Sequence, residues 1–141
     1  MKNIALLFYH LELCRIDDRI EELIKKGHSV KVFCEEKKFL SLIQENPKCF
    51  DIVITEMILQ GMGDDYQFFG KRNGMLDDCA SLLADELDAR GFSGKIVVYT
   101  SWDHVQRLFS KVKENKRFAK VITQEDGEEE FLQQMEEILN L

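Results

Sequence analysis

Phe50-Asp51-Ile52-Val53-Ile54-Thr55-Glu56 runs directly into Met57-Ile58-Leu59-Gln60-Gly61-Met62-Gly63. A short apolar run of this kind, bounded by polar residues, reads as a strand buried on both faces of a parallel sheet. Glu56, followed by a glycine-containing loop, then falls at the carboxyl end of that strand. Open α/β sheets bind ligands and do their chemistry at that edge. The question posed by the chain is what a carboxylate does there.

Working outward, the same kind of run appears at Asn3 to Phe8, at Val30 to Phe33, where Val30 and Val32 alternate with Lys31, at Lys95 to Thr100, and at Ala119 to Thr123. The third strand is expected over Asp51 to Thr55. Between them the period changes to that of a helix. Ile16, Ile20, Leu23 and Ile24 share one face against Asp17, Asp18, Arg19, Glu21 and Glu22, with a stop at Gly27. Phe39, Leu40 and Ile43 mark a short helix over Glu36 to Glu45, which ends before Pro47. Leu76, Cys79, Ala80, Leu83 and Leu87 predict a helix from Leu76 to Arg90, stopped by Gly91. Val105, Leu108, Phe109 and Val112 predict the next, and Phe131, Leu132, Met135 and Ile138 the last. Glu128, Glu129 and Glu130 lie in the first turn of that last helix, where its dipole favours negative charge.

Five strands alternating with five helices imply a flavodoxin-like (βα)5 three-layer sandwich, with a parallel sheet in the order 2-1-3-4-5. The expected organisation is one domain over residues 1–141, with a long insertion loop at about 61–75.

A net charge of -7 argues against a nucleic-acid-binding surface, because neutralising phosphates needs clustered Lys and Arg. The local run Lys111, Lys113, Lys116 and Arg117 is read as the solvated face of a helix. Cys14, Cys34, Cys49 and Cys79 are far apart, without a CxxC pair, so reduced thiols are expected. No apolar stretch approaches the roughly 20 residues that span a bilayer, and Met1-Lys2-Asn3 leads straight into a strand. The expected location is the cytoplasm, with no membrane partner.

The five-fold βα rhythm, the stretch from Asp51 to Met62 and the strand ending Val97-Val98-Tyr99-Thr100-Ser101 together resemble a response-regulator receiver domain. The resemblance implies five working groups at the carboxyl edge. Two acids after strand one help to bind Mg²⁺, and an Asp after strand three accepts a phosphoryl group. A Thr or Ser after strand four and a Lys after strand five contact the phosphoryl oxygens. Here strand one ends Leu7-Phe8-Tyr9-His10, Glu56 stands at the acceptor position, Thr100 is kept, and Gln124 stands where the lysine belongs. On this comparison the chain is a degenerate, pseudo-receiver form.

The departures have chemical consequences. Mg²⁺ wants several oxygen ligands, and one carboxylate without the strand-one pair is a poor site. Without metal or lysine nothing neutralises a transferring phosphoryl group. Glu is also one methylene longer than Asp, and in-line transfer is sensitive to displacements of about an ångström. Three readings of Glu56 stay open. It is a structural carboxylate, solvated or bonded to Thr100 and loop amides. It is a fixed surrogate for a phosphorylated acceptor, though with charge -1 against about -2. Or it belongs to a new site in which His10, Glu56 and His104 converge as a metal or acid–base set. Thr100 also has a plain reading as the cap of the following helix.

From Gly61 to Met75 the loop is about ten residues longer than the resemblance implies. It carries Tyr66, Phe68 and Phe69, and with Trp102 these form a candidate interaction surface. Asp64 and Asp65 are read as solvated turn residues. Gly61-Met62-Gly63 and Gly70-Lys71-Arg72 match neither a dinucleotide fingerprint nor a P-loop. The expected function is a non-enzymatic, phosphorylation-independent signalling or protein-interaction module. It would need no cofactor and no metal, and would act on a protein partner in trans or as a homodimer. Trp102 to Asn115 and Glu128 to Leu139 are the first candidate surface. The alternative is a small enzyme or ligand-binding protein that uses the edge at Tyr9, His10, Glu56, Thr100 and His104.

Overall fold

Five strands form one parallel sheet: β1 (Asn3–Leu7), β2 (Ser29–Phe33), β3 (Ile52–Thr55), β4 (Lys95–Thr100) and β5 (Phe118–Thr123). Their order across the sheet is β2-β1-β3-β4-β5. Five helices accompany them: α1 (Asp17–Lys25), α2 (Glu36–Glu45), α3 (Cys79–Ala89), α4 (Gln106–Glu114) and α5 (Glu128–Leu139). The structure is a computed structural model, and it describes residues 1–8, 16–57, 71–72, 75–76, 79–100, 106–125 and 127–140. The architecture is the expected flavodoxin-like sandwich.

Strand alternation sorts the core into two layers. Ile4, Leu6, Phe8, Ile54, Val97 and Tyr99 turn to α1 and α5, where they meet Ile16, Leu23, Phe131 and Met135. Ala5, Leu7, Val53 and Val98 turn the other way, onto Phe39 and Ile43 of α2, Leu83 of α3, and Leu108 and Val112 of α4. The central strands β1, β3 and β4 are covered on both sides, which is why they read as unbroken apolar runs. α1 ends at Gly27, whose φ is +92°. Its N–H donates to Ile24 O (2.9 Å), and the His28 N–H donates to Leu23 O (3.2 Å). These two bonds satisfy carbonyls that the helix end leaves open, in a conformation that favours glycine.

Several expectations need correction. The helix predicted from Leu76 begins at Cys79, and Met75–Leu76 instead pairs antiparallel with Lys71–Arg72. Leu76 fits the helical phase, but a two-residue ladder leaves too little sequence for a period to show. Ile24 was expected to face inward, and it is 53% exposed. At about 100° per residue it lies past the rim of the stripe centred on Leu23. Val32 is 41% exposed, because β2 is an edge strand.

The basic run divides as well. Lys111 and Lys113 are exposed on α4, but Arg117 lies beyond the helix and is half-buried. Its guanidinium donates to Asp88 Oδ1 (2.8 Å) and to Gly94 O (3.1 Å), tying the start of β5 to the α3–β4 turn.

Candidate functional site at the carboxyl edge

β3 delivers its last residues between β1 and β4. Thr55 pairs in register with Leu7 on one side and Val98 on the other, so Glu56 comes out level with Phe8 and Tyr99. Thr55 is fully buried, and its hydroxyl lies 3.3 Å from both Leu7 O and Glu56 O, to which it donates. Glu56 is only 2% exposed, and its Oε1 accepts the N–H of Met57 at 2.7 Å. The solvated reading of this carboxylate is therefore corrected. Burying a charged group is costly unless it is bonded, and a backbone N–H aimed at a carboxylate is among the stronger compensations.

Two further ties hold the edge together. Met57 O accepts the Cys79 N–H at 2.6 Å, so β3's exit is fastened to the start of α3. Thr100 is fully buried, and its carbonyl accepts the Gln124 N–H at 2.8 Å, joining the exits of β4 and β5. The Gln124 side chain is half-buried.

An aromatic stack fills the α1/α5 side of this edge. Phe8 and Tyr99 lie 6.4 Å apart between centroids, and Phe131 meets Tyr99 edge-on at 5.5 Å. The Arg19 guanidinium sits 5.5 Å from the Tyr99 centroid and 5.9 Å from that of Phe131. Each ring pair, and a cation over a ring, adds roughly 0.5–1 kcal/mol beyond burial.

Sequence reasoning missed three of these groups. Nothing in a helical charge pattern singled out Arg19 for stacking. Thr55 read as ordinary strand. Away from this edge, the buried Glu36 in the first turn of α2 was the third, and the stripe Phe39, Leu40 and Ile43 carried back one turn could have found it. The dipole at that helix start favours its charge.

Tyr9, His10, Tyr66, Phe68, Phe69, Trp102 and His104 lie outside the described residues, as do Asp64, Asp65 and Cys14. The convergence of His10 and His104 on Glu56, and the loop surface, therefore rest on sequence alone. Among the described residues no three His, Cys, Asp or Glu side chains are grouped as metal ligands. Phe8, 1% exposed, stands at the β1 exit where a Mg²⁺ site would need oxygen. The described residues do not fit Mg²⁺.

No protein-family model and no curated protein matches the chain. Solved structures do. The inactive form of the regulatory domain from the repressor of iron transport regulator RitR superposes with a TM-score of 0.69 at 19% identity, covering 99% of this chain and 96% of that one. A CheY-like response-regulator receiver protein from Methanospirillum hungatei JF-1 gives 0.69 at 15% identity, over 99% and 94% of the two chains. A response regulator from Desulfuromonas acetoxidans gives 0.67 at 13% identity, over 99% and 98%. The chain has the receiver fold. Identities this low carry the fold and no activity. In this fold Glu56 lies at the exit of β3, with Thr100 and Gln124 at the exits of β4 and β5 beyond it.

The amino edge of the receiver sheet is built differently. Lys26 Nζ meets Glu136 Oε1 at 2.5 Å, Asp51 accepts the Asn3 N–H at 2.8 Å, and Lys95 Nζ donates to Ile138 O at 3.1 Å. The bond and charge of Glu136 raise the Lys26 ammonium above its ordinary range. His28 Nδ1 accepts the Lys2 N–H at 3.2 Å. Burial, then the positive charges of the terminal amine, Lys26 and Lys2, push this imidazole below its ordinary value. Among the described residues Cys34, Cys49 and Cys79 are in no disulfide, and burial raises the thiol of Cys49. No helix among the described residues is long and apolar enough to cross a membrane.

Proposed function

We propose that this receiver-fold chain is a phosphorylation-independent, non-enzymatic protein-interaction module of signalling, acting in the cytoplasm on a protein partner in trans. The observation that carries this reading is the burial of Glu56. An acceptor carboxylate has to present an oxygen to an incoming phosphoryl group in line with its leaving group. At 2% exposure, with Oε1 held by the Met57 N–H, Glu56 presents little. Gln124 supplies no positive charge to gather the phosphoryl oxygens, and Phe8 supplies no metal ligand. The carboxylate is then a fixed part of one conformation rather than a group that changes charge.

The partner surface favoured by this reading is the face of α4, β5 and α5. It carries opposite charges on its two helices: Arg107, Lys111 and Lys113 on α4, and Glu130 and Glu137 on α5. Lys120 of β5 already pairs with Glu137 at 3.1 Å. A partner with a matching charge pattern would gain orientation and association rate from this arrangement.

The test is incubation of the protein with acetyl phosphate and Mg²⁺, followed by intact-mass measurement. The expected outcome is an unmodified chain. Gain of one phosphoryl group that is lost in Glu56→Gln overturns the reading.

A further inference from the structure

β2 is the outermost strand on its side of the sheet. The Ser29 N–H donates to Lys2 O (3.0 Å), and Phe33 O accepts the Phe8 N–H (3.1 Å). Successive residues of a strand turn their backbone groups to opposite edges. Ser29, Lys31 and Phe33 thus serve β1, while Val30 and Val32 turn their N–H and C=O to the open edge. An open row of this kind is a template for another strand.

The side chains beside that row are apolar. Val30 packs against the α1/α5 layer, and Val32, two residues on, lies on the same face and is 41% exposed. Ile24 of α1 is 53% exposed. With Met1, these two are the exposed large hydrophobics among the described residues. Lys31, the usual guard of an edge strand, alternates to the other face, so β2 itself puts no charge on its α1 side.

The flanking helices say what fits. Each runs from the carboxyl edge back toward the amino edge, and each carries unlike charges at its two ends. α1 has Asp17, Asp18 and Glu21 early and Lys25 in its last turn, where an exposed pair with its own Glu22 at 3.4 Å is readily exchanged. On its exposed side α2 has Lys37 and Lys38 early, Lys38 lying 3.5 Å from its own Glu35, and Glu45 at its end. A second copy approaching antiparallel sets Glu21 beside the copy's Lys25, and Lys37 and Lys38 beside its Glu45. A parallel approach sets like beside like. Self-complementarity under a two-fold axis is the requirement of an isologous contact.

We propose that the β2 edge is a homodimer surface, on which two copies join β2 to β2 antiparallel so that one sheet runs through both. Ile24 and Val32 supply the apolar cover, and the flanks of α1 and α2 extend the contact toward the roughly 1,200 Å² of a stable interface. This goes beyond the partner face on α4, β5 and α5, and stands or falls separately from it.

Sedimentation velocity of the full chain tests it, with circular dichroism as the folding control. Val32→Pro removes only an outward N–H, which an edge strand tolerates. The wild type is expected to dimerise in the micromolar range, and Val32→Pro and Lys25→Glu to weaken it at least about tenfold. Glu21→Lys added to Lys25→Glu is expected to restore it, while Lys111→Glu with Lys113→Glu leaves it unchanged. If Val32→Pro loses its dichroism, the charge-reversal pair decides alone. A wild type still monomeric at about 200 μM overturns the proposal. So does a dimer that ignores the β2 and α1 changes, or one lost with the α4 charges.

Discussion

At the carboxyl edge Thr55, Glu56 and Thr100 are withdrawn from water and bonded to backbone groups, whereas at the amino edge Lys26 and Glu136 pair within reach of water. One sheet therefore ends in two chemically different ways. The rings of Phe8, Tyr99 and Phe131 line the first end, so the polar groups there depend on protein partners rather than on water. At the second end, water substitutes for any partner that is removed. The same kinds of side chain thus carry different weights at the two ends, and burial rather than residue type sets the difference.

The comparison can be broken by mutation, with stability read from urea denaturation. Phe131→Ala should be the largest loss, about 3–5 kcal/mol, because it removes a fully buried ring that packs on Tyr99. Glu56→Ala should cost about 1–3 kcal/mol by leaving the Met57 N–H buried without its acceptor, and Glu56→Gln, which keeps a carbonyl oxygen there, less. Thr55→Val keeps the shape, loses the hydroxyl bond, and should cost about 1 kcal/mol. Glu136→Gln at the amino edge should leave the midpoint where it was; a loss equal to that of Glu56→Ala would end the distinction.

The smallest effect is one of pH. His28 has a folded-state value below its ordinary 6.5. The unfolded chain therefore binds the proton more readily. The stability tied to a neutral His28 is complete above about pH 6.5 and is lost as pH falls from there through the depressed folded value. His28→Gln should flatten this part of the pH–stability curve.

Most of the fold was legible because β1, β3 and β4 are buried on both faces and α1, α2, α4 and α5 carry clear stripes. The edge strand β2 was found, but its exposure was not, since Val30-Lys31-Val32-Phe33 does not say which neighbour is missing. Glu56, Thr100 and Gln124 were located from strand endings alone. The depth of Glu56 was not, because its neighbours across the sheet, Phe8 and Tyr99, are distant in sequence. Leu76 misled because a helical period fits a short segment as easily as an extended one. Arg117 misled because its partners, Asp88 and Gly94, come from another turn.

The bond from the Cys79 N–H to Met57 O has a consequence for chain architecture. It ties the two ends of segment 58–78 together at the rim of the sheet. Once such a base is closed, the entropy cost of the enclosed chain grows only as the logarithm of its length, about 0.6 kcal/mol for each doubling. By that scaling an insertion between Met57 and Cys79 is expected to cost β3 and α3 little while the bond at the base is kept.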